Sequence, residues 1–428
     1  MPARICWCSA LICLLCSAFS ARLFAQETIR GVQVSGVSTP ALQPLDNLMV
    51  DFVTQYKVPG ASLAVTKDNR LVYARGFGCA DEATGECVQP QSLFRIASIS
   101  KPVTAAAIFK LVELGKLSLD AKVFSLLPLT RNKEFADPRL HDITVLHLLQ
   151  HRGGWDREKS GDPMFKARHI AASLKIESPP GPADIITYMT GMKLDFAPGE
   201  RYAYSNFGYC LLGRVIEEVS KQPYDVFVRE KILAPIGIRR MQLGRTLLDN
   251  RVPGEVKYVA AGSGDCVFGS PAKKVPLPYG VFCVEAMDAH GGWVATAAEL
   301  TRFANALEPT YSTPLLNAAS LSAMFARPPG AAGHTEAGEP KKVFYACGWS
   351  VRKVKGETLE NHWHNGALAG TSTLLVRRHD GLSWAVLFNT RSSPKDGDLS
   401  ALIDPRMHQA VDQVKDWPTG DLAREVLK

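Results

Sequence analysis

Ser98 and Lys101 have the residue types and the spacing of a serine nucleophile and its base. They lie in the segment RIASISKPVTAAAIFKLVELGKL, residues 95–117, in which apolar side chains recur at helical spacing. Because Pro102 is tolerated only in a first turn, we expect the helix to begin near Ser98, with both residues on one face. A lysine is unfavourable beside the exposed N–H groups of a helix start. A desolvated lysine, however, loses its proton more readily and could take the proton of the serine hydroxyl.

The same pair also has an ordinary structural interpretation. Ser98 could serve only as a helix N-cap, while Lys101 extends its stem and keeps its ammonium group in water. A single S-x-x-K motif is so short that it favours this interpretation. Other motifs in the chain must therefore decide between the two.

A second motif places a phenol close to an amide. In YAYSNFGY, Tyr204 and Asn206 lie two residues apart, directly before an apolar helical stretch. Side chains at this spacing in an extended turn share a side, so both could face one cleft. Taken alone, the motif is explained equally well by a core tyrosine and an N-cap asparagine.

A third motif precedes a predicted strand near the C-terminus. In HWHNGALAGTSTLLV, Gly366 could let a substrate approach the backbone closely, and the N–H of Ala367 could pair with that of Ser98 as an oxyanion hole. His364 and Asn365 are candidate substrate-binding residues together with Gly366. The ordinary interpretation of His364 alone is a structural histidine with satisfied hydrogen bonds.

Taken in this order, the S-x-x-K, Y-x-N and H-x-G motifs resemble those of the serine β-lactamase and penicillin-binding protein superfamily. The resemblance is to the branch of class C β-lactamases, DD-peptidases and family VIII esterases, and it covers roughly residues 44–389. It is supported by the stretches LFRIASISKPVTA, ITVLHLLQHRGG, FAPGERYAYSNFGYCLLG, GGWVATAAELTRFANAL, GWSV and HNGALAGT. The resemblance implies that Ser98 is the nucleophile and Lys101 its proton acceptor. It further implies that Tyr204 shuttles protons to the leaving group and the deacylating water, and that Asn206 clamps the substrate amide.

The third motif departs from the β-lactamase pattern. β-Lactamases usually have lysine at its first position and serine or threonine at its second, and these groups hold the substrate carboxylate. His364 is often neutral at pH 7, and Asn365 offers a bulkier amide instead of a hydroxyl. We therefore expect substrates with a carboxylate to bind less well than small uncharged esters. Arg391, just past the last predicted strand, could supply the missing charge from another direction.

These residues predict a serine hydrolase that forms an acyl-enzyme on a D-alanyl peptide, a β-lactam or a small ester. We expect a small-molecule or peptidoglycan-type substrate, and neither a cofactor nor a metal. His147 and His151 stand four apart but lack the glutamate of a zinc protease motif, and no G-x-S-x-G motif of an α/β-hydrolase occurs. The alternative is a penicillin-binding sensor or structural module with little or no turnover.

The elements that must position these residues predict an α/β fold. GASLAVTKDNRLVYARGFG and TSTLLVRRHDGLSWAVLFNT each read as a hairpin, with turns at Asp68-Asn69 and Asp380-Gly381. Hairpins at both ends of the chain indicate one antiparallel sheet built from both termini and flanked by helices, with a mainly helical inserted subdomain. We expect a single catalytic domain over residues 26–428. Its sheet subdomain would span about 44–95 and 295–428, its helical subdomain about 96–294, and the active site would lie at their junction.

The first 25 residues predict a signal peptide cut after Ala25, and hence a secreted or periplasmic protein. Cys16 raises the alternative of a lipid anchor, although the preceding Leu15 is large for such a site.

The formal net charge of +7 falls to about +5 without the leader, and the sequence contains no basic block, which argues against nucleic-acid binding. Beyond the leader, no stretch approaches the ~20 apolar residues of a membrane span.

Six of the ten cysteines follow the predicted leader. Disulfides persist in exported chains, and two pairs flank short loops, so we expect disulfides between Cys79 and Cys87 and between Cys266 and Cys283. Cys210 lies in an apolar helical run and Cys347 in a strand-like run. Both are expected to be buried free thiols.

Overall fold

The structure is a computed structural model that describes residues 26–37, 39–128, 134–354, 358–393 and 397–427. The predicted signal peptide, its cleavage point after Ala25 and the lipidation candidate Cys16 lie outside these residues. Within the described ranges, no helix combines the length and the apolar character that a membrane crossing requires.

Strands occur mainly near the two ends of the chain. In chain order they are β1 (Gln26–Ile29), β2 (Val32–Gly36), β3 (Gly60–Lys67), β4 (Arg70–Asp81), β5 (Glu86–Cys87), β6 (Phe94–Arg95), β7 (Gln242–Leu243), β8 (Ser263–Asp265), β9 (Lys274–Pro276), β10 (Trp293–Ala295), β11 (Val343–Tyr345), β12 (Ser350–Val354), β13 (Leu359–Leu368), β14 (Thr371–Arg377), β15 (Leu382–Phe388), β16 (Ser392–Ser393) and β17 (Gly397–Asp398).

One large antiparallel sheet joins both ends of the chain, as the sequence predicted. Its order is β1-β2-β4-β3-β15-β14-β13-β12-β11, with β5 paired to β4. The two predicted hairpins are its centre: β3 and β4 turn at Asp68 and Asn69, whose left-handed φ angles of +49° and +66° suit a tight two-residue turn. β14 and β15 form the second hairpin, and β15 pairs with β3. This pairing joins the two hairpins into one sheet.

Helices cover both faces of the sheet. They are α1 (Gln43–Tyr56), α2 (Ser100–Glu113), α3 (Val123–Leu126), α4 (Val145–Leu149), α5 (Arg157–Ser160), α6 (Ala167–Leu174), α7 (Pro182–Thr190), α8 (Asn206–Ser220), α9 (Tyr224–Val228), α10 (Asp288–Gly291), α11 (Ala297–Asn305), α12 (Ala318–Phe325), α13 (Leu399–Gln413) and α14 (Ala423–Val426). α1 and α13 pack together on one face, and α11 packs on the other, against β3 and β15. Because both faces are covered, every residue of β15 is buried.

The middle of the chain is mainly helical and contains the helix of the S-x-x-K motif. α2 packs against α8 and α10, and its residues from Ser100 to Phe109 are all buried. β6, which lies directly before α2 in the chain, belongs to a small three-stranded sheet with the order β6-β10-β7. This sheet fixes the point at which the chain enters the helix. The division into sheet and helical subdomains at about residues 95 and 294 stays a prediction.

The helix of the S-x-x-K motif begins near Ser98, as predicted. α2 itself starts at Ser100, and residues Ala97–Ile99 form a 3-10 turn directly before it, with the tighter i to i+3 bonds. Ser98 is therefore not the N-cap of the helix.

The structure contains neither predicted disulfide. Cys79 and Cys87 face each other in register on β4 and β5 as free thiols, beside a register shift of the strand pair. Cys266 and Cys283 are free as well, and the Cys283 thiol instead lies 3.7 Å from Glu285 Oε2. Cys210 and Cys347 are buried free thiols, as predicted.

Candidate active site

Ser98 lies in the 3-10 turn between β6 and α2, at the floor of an open cleft. The residue before it, Ala97, has a left-handed φ of +46°, a conformation that costs free energy and that tertiary contacts must hold. β13 supplies those contacts. A Cβ at Gly366 would collide with Ile96 O and come within 2.9 Å of Ser98 N, so the close approach of β13 requires glycine.

The Ser98 hydroxyl receives hydrogen bonds from two sides. Tyr204 OH donates to Ser98 Oγ at 2.7 Å, and Lys101 Nζ lies 3.1 Å from the same atom. Lys101 comes from the first turn of α2, and Tyr204 from the segment that enters α8. Packing of α2 against α8 therefore brings the S-x-x-K and Y-x-N motifs together.

Lys101 is fully buried and has three polar partners. Besides Ser98 Oγ, its Nζ donates to Asn206 Oδ1 at 2.7 Å and to the backbone oxygen of His290 at 2.9 Å. Carbonyl oxygens only accept, so these two bonds fix two N–H groups and direct the third position of the nitrogen at Ser98. When the ammonium loses a proton, its lone pair faces the serine hydroxyl.

Burial holds the pKa of Lys101 well below its usual range, since the charged form is poorly solvated there. The carboxylate of Asp162 opposes this shift, and the guanidinium of Arg157 adds to it. Burial also raises the pKa of Tyr204, so its phenol keeps its proton at neutral pH. Of the two groups on Ser98, Lys101 is thus the one that can accept a proton.

His151 packs against the ring of Tyr204. Its ring packs 4.3 Å from the Tyr204 ring, and its Nδ1 accepts a hydrogen bond from Ser205 N at 3.2 Å. Burial, followed by the charge of Lys101, holds the pKa of His151 well below its usual range, so the ring is neutral. The other histidine of that pair, His147, belongs to a capping box at the start of α4.

The third motif splits between two environments. His364 was expected to bind substrate, but it is 3% exposed and lies behind the cleft wall. Its Nδ1 donates to Asn365 O at 2.6 Å, so its Nε2 accepts from Tyr345 OH at 2.9 Å. Burial lowers the pKa of His364 to about 3, which keeps it neutral. Asn365 and Ala367, which point the other way along β13, line the cleft.

The cleft has a volume of about 620 Å³ and charges of both signs. Arg391 at its edge lies 3.9 Å from the carboxylate of Asp398, which offsets its charge. The cleft is lined by Ser98, Arg157, Glu158, Asp162, Phe165, Tyr202, Tyr204, Asn206, Asn365, Ala367, Arg391 and Asp398.

The Beta-lactamase family model matches residues 45–404, which is most of the chain. The chain belongs to this family. Its relatives include an esterase and a penicillin-binding protein.

Three relatives show how far the likeness extends. The probable fimbrial assembly protein FimD, serogroup H1, of Dichelobacter nodosus is 34% identical over 175 residues, 41% of each chain. Esterase EstB of Burkholderia gladioli is 31% identical over 206 residues, 46% of this chain and 50% of EstB. Penicillin-binding protein 4 of Amycolatopsis lactamdurans is 26% identical over 346 residues, 78% of this chain and 82% of its own. The chain thus spans half or less of the length of the first two relatives.

Two solved structures share the fold of this chain. EstCE1, a hydrolase with promiscuous acyltransferase activity, has a TM-score of 0.66 at 20% identity and covers 87% of this chain and 100% of its own. The D-amino acid amidase of Ochrobactrum anthropi SV3, complexed with D-phenylalanine, has a TM-score of 0.65 at 21% identity and covers 88% and 100%. At these identities the likeness extends to the fold alone.

The sequence motifs did not indicate several residues of this site. Asp162 accepts a hydrogen bond from Asn206 Nδ2 at 2.6 Å, and the Arg157 guanidinium lies 4.8 Å from the centre of the Tyr204 ring. The only local signal was the Asp-Pro dipeptide at Asp162, which indicates a turn and not a contact 44 residues away. Tyr345 had no signal at all.

Proposed function

We propose that the protein is an exported serine hydrolase in which Ser98 forms an acyl-enzyme, with small uncharged esters as its preferred substrates. The observation that carries this proposal is the convergence of Tyr204 OH and Lys101 Nζ on Ser98 Oγ, at 2.7 and 3.1 Å. Hydrogen-bond reach between a nucleophile and its base is the geometry that nucleophilic catalysis needs.

In the first step Ser98 Oγ attacks the carbonyl carbon of the ester, and the hydroxyl proton passes to Lys101 Nζ. The backbone N–H groups of Ser98 and Ala367 stabilise the negative charge on the carbonyl oxygen. As the bond to the leaving oxygen breaks, Tyr204 donates its phenolic proton to that oxygen and recovers a proton from Lys101. Water then attacks the acyl-enzyme by the same route in reverse, which releases the acid and restores Ser98.

The preference for uncharged esters rests on the electrostatics of the cleft. His364 is neutral and already bonded to Tyr345, so it offers no cation to a substrate carboxylate. Arg391 shares its charge with Asp398 at 3.9 Å, and the carboxylates of Glu158 and Asp162 line the same cleft. A penicillin or a peptide C-terminus brings one more negative charge into these surroundings, whereas an ester brings none. The proposal of export rests on the leader sequence of residues 1–25.

The decisive experiment labels the purified protein with a fluorophosphonate probe and maps the modified residue. Ser98→Ala should abolish labelling, while Ser100→Ala should retain it. Ser100 is the matched control because it lies two residues away, is fully buried and accepts a hydrogen bond from Trp293 N at 3.4 Å instead of facing Lys101. Labelling that persists in Ser98→Ala overturns the proposal. Labelling of Ser98 without turnover of p-nitrophenyl acetate would instead identify a penicillin-binding sensor.

A further inference from the structure

Within the part of the chain that the structure describes, no carboxylate contacts the buried amino group of Lys101 directly. Among the described residues, the nearest route from Lys101 to a negative charge runs through one amide: Nζ donates to Asn206 Oδ1 at 2.7 Å, and Asn206 Nδ2 donates to Asp162 Oδ2 at 2.6 Å. A buried charge normally requires a partner of opposite sign. Asp162 is thus joined to Lys101 by a single intervening side chain.

The carboxylate also fixes the orientation of the amide between them. An ionised carboxylate only accepts hydrogen bonds and an ammonium group only donates them, so Asn206 can satisfy both neighbours in one orientation only. Without the carboxylate, the amide could rotate and turn its NH₂ group towards Lys101. Asp162 is itself held in place, because its Oδ1 accepts from Met164 N at 3.0 Å and so caps the 3-10 turn Pro163–Phe165.

The other groups around Lys101 do not duplicate this charge. The charge of Lys101 acts on three buried histidines. Burial lowers the pKa of each, so all three are neutral: His151, His290 and His364. The rings of Tyr204 and Tyr209 lie 4.7 and 5.7 Å from Nζ and keep their protons. Of the two full charges that act on Lys101, Arg157 is positive and Asp162 is negative.

We propose that Asp162 is a positioning residue for the acylation step: it acts through Asn206, whose oxygen it keeps turned towards Lys101, and it supplies the negative charge that balances the lysine. This inference rests on the proposed function, since it assigns Asp162 to the support of the base of Ser98. It adds a residue that lies outside the three motifs and belongs to the loop between α5 and α6.

The proposal predicts a change in pH dependence with a definite sign. The charge of Asp162 raises the pKa of Lys101, so its removal in Asp162→Asn should lower that pKa. The acidic limb of kcat/KM, where Lys101 becomes protonated, should therefore move to lower pH. The plateau should fall about tenfold, because an asparagine at 162 can accept or donate and no longer selects one orientation of Asn206.

The test measures kcat/KM for p-nitrophenyl acetate and the rate of fluorophosphonate acylation as functions of pH. Asp156→Asn is the matched control, since Asp156 caps the neighbouring helix α5 by accepting from Glu158 N at 3.0 Å and makes no bond with Asn206. It should leave the acidic limb where it is in the wild type. If Asp162→Asn does not fold, Asp162→Ser preserves a capping oxygen without the charge and should show the same downward shift.

An acidic limb that stays in place or moves upward in a folded Asp162 variant overturns the assignment of Asp162. That outcome leaves the proposed function intact as long as the probe still labels Ser98 and not Ser98→Ala. Loss of specific labelling at Ser98 in the wild-type protein would instead overturn the proposed function, whatever the Asp162 variants show.

Discussion

The two sides of the cleft differ in how tightly their polar side chains are coupled. On the helical side, Ser98, Lys101, Tyr204 and Asn206 form one connected set of hydrogen bonds between α2 and the start of α8. On the strand side, His364 bonds to Tyr345 behind the cleft, and the Asn365 side chain makes a long 3.4 Å contact with Ser400. Under the proposed function, this difference assigns proton transfer to the helical side and substrate preference to the strand side.

The largest effect is expected on the helical side, from Lys101→Met. Methionine fills similar volume without a proton acceptor, so kcat/KM for p-nitrophenyl acetate should fall about 10³-fold. Thermal stability should change little, because relief from burying the amino group offsets the loss of its bonds to Asn206 Oδ1 and His290 O. Lys110→Met is the control, a lysine of the same helix that pairs with Glu113 at 2.9 Å. A loss of activity equal in both variants would show that the effect is not specific to Lys101.

An intermediate effect is expected where the two sides touch, from Gly366→Ala. The added methyl group would press on Ile96 O and Ser98 N and push β13 away from the serine turn. We expect kcat/KM to fall about 10²-fold, with a lower melting temperature. Gly420→Ala, at a glycine with open space around it, should change neither. Full activity of Gly366→Ala would contradict the role of β13 in the oxyanion hole.

The smallest effect is expected on the strand side, from Asn365→Thr, because Asn365 lines the cleft whereas His364 lies behind it. A smaller side chain with a hydroxyl there should bind a substrate carboxylate better, which narrows the gap in kcat/KM between esters and penicillins about fivefold. Ratios of kcat/KM for p-nitrophenyl acetate and benzylpenicillin in both proteins provide the measurement. A wild-type enzyme that already prefers benzylpenicillin contradicts the preference for esters. Arg391→Gln would then reveal whether Arg391 supplies the charge.

Local signals allowed much of the sheet and part of the site to be predicted. The hairpin turns at Asp68-Asn69 and Asp380-Gly381 are determined by a few neighbouring residues, and both strand pairs form as expected. Contacts between distant segments had no such signal. The left-handed conformation of Ala97 was not predicted, because the contacts that hold it come from β13, which lies more than 260 positions later.

The same limit explains what was missed around the serine. The motifs indicated Ser98, Lys101, Tyr204 and Asn206, whose types are distinctive at fixed spacing. Asp162 acts only because the loop after α5 folds over the start of α8. The burial of His364 beside Tyr345 could not be predicted either, because alternation along a strand shows which residues share a face but not which face is buried.

The pairing of β3 with β15 also has a consequence for how the molecule folds. Ala61 lies opposite Phe388, so the central pair of the sheet joins residues separated by more than 300 positions, and such contacts form late because a long loop must close first. During synthesis, the 3-10 turn with Ser98 and the helix with Lys101 emerge together, long before β13 exists. A nascent or truncated chain therefore carries the serine without the strand that shapes its turn, and its hydroxyl is no more reactive than that of any other serine until the last third of the chain has arrived.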